Sequence, residues 1–392
     1  MTPDLPFPSL TRRASLQRLG ALAGAWALSD HAAHARPSGS PTPPTEGEKA
    51  AMARYAAAFM GQFQVPGLSV AIACQGRLVY EAGFGVADTA TQEKVTPQHL
   101  FRIASMTKPI TSAAIYTLVE QGKLRLADRV FGRSGILAER YGNIAGPHLG
   151  EVTVHHLLTH TGGGWENDDA DPMFFQLQLN HEALIDWVLR THPLKHAPGE
   201  HYAYSNFGYC VLGRVIEQIT GESYPAYVQR AIFAPCGIAG PHAPRLAGNT
   251  LAERAPGEVI YYAQEPMSPY SMNVRRMDSH GGWLATTGDL VRFATHVDGF
   301  TTTPNLLRPE TIQQMTKGTS ANSGYASGWC VNQAHNLWHN GTLPGVNGIL
   351  VRTASGLCWA ALINTRSTAV GGALDQLIWK MAKAVPSWAA GS

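Results

Sequence analysis

Apolar positions along the chain follow two patterns, which predict helices in some segments and strands in others. The segment 46–63 (EGEKAAMARYAAAFMGQF) is rich in helix-forming residues and predicts a first helix. The runs 66–74 and 77–88 are apolar and β-branched, and Gln75-Gly76 between them is a turn pair, so they predict a β-hairpin. Farther along, the same reasoning predicts helices from about 105, near 154–160 and over 181–192, 208–235 and 288–299, strands within 325–332, 337–341, 347–353 and 357–365, and a last helix over 372–385.

Strands therefore gather at both ends of the chain, with helices between them. This order predicts an α/β (α+β) fold, in which N-terminal and C-terminal segments build one antiparallel sheet flanked by the first and last helices. The middle of the chain, about 120–290, is expected to form a mostly helical lobe. A cleft between the two parts is the usual place for a functional site.

The first 35 residues carry the pattern of an export signal. Arg12 and Arg13 precede an apolar run of about ten residues, which is too short to span a bilayer, and a small-x-small pattern ends at Ala35. Paired arginines before such a run are typical of twin-arginine signals, so we expect a periplasmic or secreted protein cleaved near Ala35. A basic tail with a short helix is the alternative interpretation. A Pro/Ser/Thr/Gly-rich linker, expected to be disordered, follows over 36–46, and one domain is predicted over 47–390.

The composition of the 392 residues is that of an ordinary globular protein, with 44% hydrophobic and 15% charged residues. The formal net charge is +2, and removing the three arginines and two aspartates of the signal leaves +1. That balance argues against nucleic acid as a partner, and no membrane-spanning segment is expected after signal removal. The five cysteines are scattered without a C-x-x-C pair, which favours buried free thiols and leaves one disulfide open.

A serine and a lysine stand three residues apart where the helix that begins near 105 starts. Ser105 and Lys108 would share one face of that helix, with Ser105 at its N-terminus. A lysine buried among apolar neighbours loses hydration, so its neutral amine becomes accessible and can accept the serine proton. The alternative is an N-cap serine followed by a lysine whose ammonium reaches water.

Two later motifs offer partners for that pair. Tyr204 and Asn206 lie in a loop before a helix, where a phenol can relay a proton if a nearby cation lowers its pKa and an amide can fix the lysine or a substrate carbonyl. His339 and Gly341 lie on a late strand, where glycine allows close approach of another backbone, and the N–H of Thr342 could join that of Ser105 in an oxyanion hole. Helix capping and a hairpin turn are the respective structural alternatives.

Further polar and aromatic residues suggest weaker hypotheses. His156 and His160 have an i, i+4 spacing that could bind zinc, but no glutamate stands between them in the H-E-x-x-H manner, and no metal is expected. Trp165 and Trp329 could line an apolar acyl pocket or simply pack. Four closely spaced acidic residues are interpreted as a solvated cleft rim: Glu166, Asp168, Asp169 and Asp171.

The order Ser-x-x-Lys, Tyr-x-Asn, His-x-Gly is similar to the three motifs of serine β-lactamases and penicillin-binding proteins. Together with VPGLSVAI, FRIASMTKPIT, VTVHHLLTHTGG and LPGVNGILVR, it means that the sequence resembles the class C β-lactamase-like serine hydrolase family, which includes family VIII carboxylesterases. The resemblance covers about residues 50–385 and implies a β-lactamase/transpeptidase-like catalytic domain without a cofactor. It also implies that Ser105 is the acylated nucleophile, that Lys108 and Tyr204 move its proton, and that Asn206 orients the lysine and substrate.

His339 departs from the Lys-Thr-Gly of true β-lactamases, because a largely neutral ring anchors a substrate carboxylate more weakly than an ammonium does. The sequence therefore favours an exported serine hydrolase of small esters or amides, with an esterase preference. The alternatives are a β-lactamase, D,D-carboxypeptidase or D-aminopeptidase, and a catalytically silent protein that binds cell-wall peptides. The oligomeric state is left open.

Overall fold

A computed structural model describes residues 41–168, 171–264, 267–367 and 369–389. The predicted export signal at 1–35 and residues 36–40 of the predicted linker lie outside these ranges. The first described helix begins at Glu46, where Thr45 and Glu48 form a reciprocal capping box.

The helices of the described residues are α1 (Glu46–Phe63), α2 (Thr107–Glu120), α3 (Ala138–Tyr141), α4 (Val154–Leu158), α5 (His181–Thr191), α6 (Asn206–Thr220), α7 (Tyr224–Val228), α8 (Thr287–Thr295), α9 (Pro309–Met315), α10 (Ala373–Lys383) and α11 (Pro386–Ala389). The strands are β1 (Gly67–Cys74), β2 (Arg77–Asp88), β3 (Glu93–Lys94), β4 (Phe101–Arg102), β5 (Arg245–Leu246), β6 (Tyr262–Ala263), β7 (Trp283–Ala285), β8 (Cys330–Val331), β9 (Leu337–Leu343), β10 (Val346–Arg352), β11 (Leu357–Ile363) and β12 (Thr365–Arg366). Short 3₁₀ turns include Ala104–Met106 and Pro172–Phe174.

The largest sheet has seven strands in the order β3-β2-β1-β11-β10-β9-β8. Its centre joins the two ends of the fold, because β1 pairs antiparallel with β11, Leu68 lying opposite Ile363. The hairpin of β1 and β2 turns at Gln75 and Gly76, which both have positive φ as a type I′ turn requires. The predicted antiparallel sheet of N-terminal and C-terminal segments is confirmed.

Alternate residues of β1 enter two different apolar clusters, as the twofold period of a strand requires. Val70 and Ile72 pack on the face covered by α1 and α10, and Ala71 and Ala73 pack on the opposite face. There α8 lies against β1 and β11. The two chain ends of the described fold also meet, because Trp388 donates its indole N–H to the carbonyl of Thr42 at 3.0 Å.

The middle of the chain carries most of the described helices, with α2 packed against α6. It also holds part of a three-stranded sheet in the order β4-β7-β5, whose strands of two or three residues are too short to leave a pattern in the sequence. The α/β (α+β) fold class is confirmed. Among the described helices none combines the length and the apolar character needed to cross a bilayer.

Candidate active site

A cavity of about 650 Å³ opens where β9, the turn before α2 and the loop before α6 meet. Residues predicted from all three motifs line it: Ser105, Tyr204, Asn206, His339 and Thr342. Apolar side chains also line its wall: Phe174, Met277, Val331, Trp338 and Leu343. The mixture of convergent polar groups and an apolar wall is that of a small-molecule site.

Ser105 lies in the short 3₁₀ turn that leads into α2 and is half-buried at the cavity surface. The residue before it, Ala104, has φ of 48°, a left-handed conformation that an L-residue with a Cβ rarely adopts. Such strain persists only where the surrounding structure fixes it, and it is concentrated at functional sites. The strained turn places the Ser105 hydroxyl at the N-terminal end of a 14-residue helix, where the helix dipole favours negative charge.

Lys108 is completely buried, and its amine lies 3.0 Å from the Ser105 hydroxyl oxygen. The amine also donates to Asn206 Oδ1 at 2.8 Å and to the carbonyl of His280 at 3.1 Å. Burial lowers the pKa of Lys108 well below its ordinary value, and the carboxylate of Asp171 opposes this only partly. A neutral amine has two N–H groups and one lone pair, so these three contacts leave the lone pair for the proton of Ser105.

Asp171 is also buried, which contradicts the prediction that it belongs to a solvated rim. Its two oxygens accept from the amide of Asn206 at 2.8 Å and from the N–H of Met173 at 2.9 Å. Burial raises its pKa to about 6, while these hydrogen bonds and Lys108 act in the opposite direction. The carboxylate fixes which way the amide of Asn206 points, so that its oxygen faces Lys108. Glu166, by contrast, is exposed at the cavity wall.

Tyr204 is half-buried at the cavity wall beside the amine of Lys108, which lies 4.7 Å from the centre of its ring. Burial raises the pKa of Tyr204 well above its ordinary value, although a hydrogen bond with Ser105 acts to lower it. The condition considered from the sequence, a pKa lowered by a nearby cation, is not met, since the buried amine is held neutral. The phenol stays protonated and lies where it can exchange a proton with Ser105.

His339 lies on β9 with both ring nitrogens occupied. Nδ1 lies 2.8 Å from the carbonyl oxygen of Asn340, which can only accept, so Nδ1 carries the proton. Nε2 lies 3.1 Å from the hydroxyl of Tyr325 and therefore accepts its proton. Burial, with a smaller effect of Lys108, lowers the pKa of His339 to about 3. The ring is thus neutral at physiological pH, as the sequence predicts.

Gly341 brings β9 against the turn that carries Ser105. A Cβ at this position would overlap the carbonyl oxygen of Ile103, so the close backbone approach requires glycine, as predicted.

The N–H of Thr342 takes its direction from the hairpin of β9 and β10. Leu343 and Val346 flank a two-residue turn and form the hydrogen-bonded pair next to it. The following pair, Thr342 and Asn347, is of the alternate kind, whose N–H groups point away from the partner strand. The N–H of Thr342 is therefore directed away from β10, on the side of the cavity that this residue lines.

The remaining sequence candidates lie outside the cavity wall or have different roles. His156 caps α4, which ends at Leu158, so the helical spacing to His160 is broken. No group of three or more potential metal ligands occurs within the described ranges. Trp165 and Trp329 are buried and do not line the cavity, so the acyl-pocket interpretation of these two residues is wrong. All five cysteines are free thiols in the described fold.

Sequence reasoning misses several residues that shape this site. It places Asp171 in solvent, and it gives no reason to select Tyr325 or His280. No local signal identifies them, because each reaches the site only through tertiary packing. His160, a metal-ligand candidate in the sequence, hydrogen-bonds instead to Tyr325 at 3.1 Å.

Comparisons with known proteins agree with this geometry. The chain is 26% identical over 297 residues to Protein flp of Staphylococcus aureus (strain NCTC 8325 / PS 47) and 26% identical over 300 residues to penicillin-binding protein 4* of Bacillus subtilis (strain 168). These matches cover 73% and 71% of this chain but only 57% and 63% of the relatives, so the chain spans less than two thirds of either.

A solved structure has the same fold. The D-amino acid amidase from Ochrobactrum anthropi SV3 superposes with a TM-score of 0.71 at 20% identity, covering 87% of this chain and 99% of the amidase. The family model described as Beta-lactamase matches residues 52–382, which is most of the chain. The arrangement of the three motifs around one cavity and this match together show that the chain belongs to the Beta-lactamase family of serine hydrolases.

Proposed function

We propose that this protein is an exported serine hydrolase that cleaves small esters or amides through an acyl-enzyme on Ser105. The observation that carries the proposal is the contact of 3.0 Å between the Ser105 hydroxyl and the buried amine of Lys108 at the wall of an open cavity. A neutral amine at that distance is a general base within reach of the proton that it must take.

In the acylation step the oxygen of Ser105 attacks the substrate carbonyl carbon and its proton passes to Lys108. The carbonyl oxygen becomes negatively charged and is held by the N–H groups of Ser105 and Thr342. The tetrahedral intermediate collapses by breaking the bond to the leaving alcohol or amine. That group takes up the proton from Lys108 by way of the phenol of Tyr204, which is replenished as it donates.

In the second step water attacks the acyl-enzyme carbonyl. The amine of Lys108, directly or through Tyr204, takes one water proton, and the bond between the acyl carbon and Ser105 breaks. The serine oxygen recovers a proton, and the acid leaves. Asn206 holds the amine in place for both steps through the hydrogen bond of 2.8 Å.

The neutral third-motif histidine supports the esterase preference. His339 has its Nδ1 proton committed to Asn340 and its Nε2 lone pair committed to Tyr325, so it offers neither a charge nor a free donor to a substrate carboxylate. Substrates without a carboxylate on the leaving-group side of the cleaved bond therefore suit this site better than β-lactams or peptidoglycan stems, which carry one there. The apolar wall formed by Phe174, Trp338 and Leu343 fits a small hydrophobic group.

A D-aminopeptidase or D-amino acid amidase is the second candidate. Glu166 is an exposed carboxylate on the cavity wall, where it could pair with the ammonium of an amino-acid amide. The amidase from Ochrobactrum anthropi shares the fold. No comparable feature of the cavity favours a β-lactamase, a D,D-carboxypeptidase or a silent peptide-binding protein, and each of these has its own outcome in the substrate experiment.

Export is part of the same proposal. It is supported by the paired arginines, the short apolar run and the small-x-small pattern ending at Ala35. Fractionation of producing cells tests it: the mature protein is expected outside the cytoplasm, with its new N-terminus near residue 36. Full-length protein confined to the cytoplasm would contradict export without touching the catalytic proposal.

Intact-protein mass spectrometry with a fluorophosphonate probe and turnover of a panel of substrates test the chemistry. The wild type is expected to gain one adduct and Ser105→Ala none, while short-chain p-nitrophenyl esters turn over faster than amino-acid amides, D-Ala-D-Ala peptides or nitrocefin. If nitrocefin is turned over fastest, a β-lactamase is favoured. If D-Ala-D-Ala peptides are turned over fastest, a D,D-carboxypeptidase is favoured, and if D-amino-acid amides are, a D-aminopeptidase or D-amino acid amidase is favoured. No adduct on the wild type would favour the binding protein.

A further inference from the structure

His160 lies outside the three motifs, yet it contacts the Tyr-x-Asn motif directly and is linked to His339 through Tyr325. It follows the end of α4, is almost completely buried and has φ of 57°, a left-handed conformation that histidine adopts at some cost. A buried, strained polar residue persists only where its neighbours fix it, so its hydrogen bonds indicate what it does.

The first set of contacts holds Tyr204 from both sides along the chain. Ala203 donates its N–H to the carbonyl of His160 at 2.8 Å, and Ser205 donates its N–H to Nδ1 of the His160 ring at 3.1 Å. Between these two bonds the ring of Tyr204 lies 4.2 Å, centre to centre, from the imidazole. One residue thus fixes the backbone before and after the phenol as well as one face of its ring.

The second set of contacts reaches His339. Because Ser205 can only donate from its N–H, Nδ1 of His160 is the acceptor and Nε2 carries the proton. Nε2 then donates to the hydroxyl of Tyr325 at 3.1 Å, and that hydroxyl donates to Nε2 of His339 at 3.1 Å. This chain of hydrogen bonds ends where His339 donates to the carbonyl of Asn340. The N–H of Ser205 at one end can only donate, and the carbonyl of Asn340 at the opposite end can only accept. Every proton between them therefore has one position.

We propose that His160 is a positioning residue, which holds Tyr204 beside Ser105 through the bonds to Ala203 and Ser205 and, through Tyr325, stabilises the tautomer of His339 that the carbonyl of Asn340 selects. The inference rests on the proposed function, because it assigns a role in the reaction of Ser105. Burial lowers the pKa of His160 well below its ordinary value, so the ring stays neutral and the chain of hydrogen bonds keeps its direction.

Three variants of the full chain separate the two sets of contacts. His160→Ala removes the imidazole ring and with it the ring's contacts in both sets. His160→Asn tolerates the left-handed φ and keeps an oxygen where Nδ1 accepts from Ser205, but it does not reach Tyr325. Tyr325→Phe removes only the link to His339. His148 is an exposed histidine with φ of 59° that does not line the cavity, so His148→Ala and His148→Asn are matched controls for the backbone strain.

The readout is kcat for a p-nitrophenyl ester divided by the fraction of Ser105 that a fluorophosphonate titrates, so that unfolded protein does not count. His160→Ala is expected to lower this normalised kcat by about 30-fold or more with KM changed less than about threefold, because it displaces Tyr204 and not the substrate. His160→Asn should recover most of the loss. Adding Tyr325→Phe to His160→Asn should cause no further loss, because both changes break the same link to His339.

Histidine ¹⁵N NMR gives a test that does not depend on turnover: His160 is expected to be protonated on Nε2 and His339 on Nδ1. The opposite tautomers, or a normalised kcat of His160→Ala equal to that of the His148 controls, would overturn the inference while leaving the proposed function in place. If His160→Ala lowers only the fraction of Ser105 that the fluorophosphonate titrates and leaves the normalised kcat unchanged, the inference would likewise be overturned, because the effect would be on folding. A wild type that forms no Ser105 adduct would overturn the proposed function, and this inference with it.

Discussion

The side-chain amide of Asn206 donates to the buried carboxylate of Asp171 at 2.8 Å, and this single bond determines the orientation of the whole amide. With its nitrogen committed to Asp171, the amide must present its oxygen to Lys108, which it does at 2.8 Å. Asp171 therefore affects the base in two ways, through the amide between them and through its own negative charge, which raises the pKa of Lys108.

Replacing Asp171 with asparagine removes the charge and one of two acceptor oxygens. Loss of the charge lowers the pKa of Lys108 further, so the acidic limb of the kcat/KM profile for an ester should move to lower pH. Loss of an acceptor leaves either Asn206 or Met173 without its partner, which should reduce kcat at the plateau about tenfold. The measurement is a pH–rate profile over the range in which the protein stays folded.

Asp186→Asn is the control for that experiment, because Asp186 is a solvent-accessible aspartate on α5 that pairs with Arg190, far from the cavity wall. It should leave the profile unchanged. An acidic limb that stays in place or moves to higher pH in Asp171→Asn would show that Asp171 does not act on the amine as described.

Lys108→Met tests the neutral amine. Methionine has a similar length but cannot accept a proton, so the rate of ester cleavage should fall by about 10² to 10⁴. The free energy of unfolding should fall by no more than about 1–3 kcal/mol, because the apolar chain avoids the cost of desolvating an amine but leaves Asn206 Oδ1 and the His280 carbonyl without their donor. Lys123→Met, on the exposed surface after α2, should change neither quantity. A strongly destabilised Lys108→Met would mean that the amine holds the fold together and is not chiefly a base.

Gly341→Ala tests whether glycine is needed at this position for the close approach of two backbones or only for the flexibility of the polypeptide. Its Cβ would overlap the Ile103 carbonyl, so β9 must move away from the turn that carries Ser105. We expect a loss of about 1–3 kcal/mol in the free energy of unfolding and of about 10² in ester turnover. Gly61→Ala in α1 meets no atom within 4 Å and should stabilise the protein by about 0.5–1 kcal/mol. Urea denaturation and kinetics would show whether the two glycines differ in this way.

Asp278 supports the wall of the site through buried charge pairs. Its carboxylate accepts from Arg214 at 2.7 Å and lies 3.3 Å from the ring of His181. Burial acts to raise its pKa, but Arg214 and His181 lower the pKa more strongly, well below the ordinary value. A lowered folded-state pKa stabilises the protein above the unfolded-state pKa, about 3.9, and this contribution is lost as the pH falls further.

Asp278→Asn should therefore destabilise the protein by about 1–3 kcal/mol near pH 7, because it removes the buried carboxylate that pairs with Arg214, which keeps Glu217 as its other partner. The difference from the wild type should stay constant down to about pH 5 and shrink below about pH 4. Equilibrium unfolding at several pH values measures it, with Asp186→Asn as the exposed counterpart. A difference that grows on acidification would contradict the assigned pKa direction.

The parts of the structure that the sequence predicts are those governed by local pattern. The apolar run of β1 and the Gln75-Gly76 turn are short-range features, and so is the i, i+3 relation of Ser105 to Lys108. Gly341 is also predictable, because a glycine inside a strand commonly marks a place where another backbone comes close.

What the sequence could not predict depends on which loop covers which helix. Four closely spaced acidic residues look solvated, and only the packing of the chain around α6 shows that Asp171 is enclosed. Tyr325 precedes a strand of only two residues, and it reaches His339 through tertiary contact. For Tyr204 the sequence leaves open a pKa lowered by a nearby cation, whereas the structure shows that burial of the phenol raises it.

The pairing of β1 with β11 also bears on how the protein is made. On the ribosome the first hairpin emerges early, with apolar side chains on both faces of β1 and one edge without its partner strand. The strand that completes it is among the last to be synthesised, so the nascent chain carries an unfinished sheet throughout most of translation. Contacts so distant in sequence form slowly, so the edge of β1 stays without its partner for longer than it would in a sheet built from neighbouring strands.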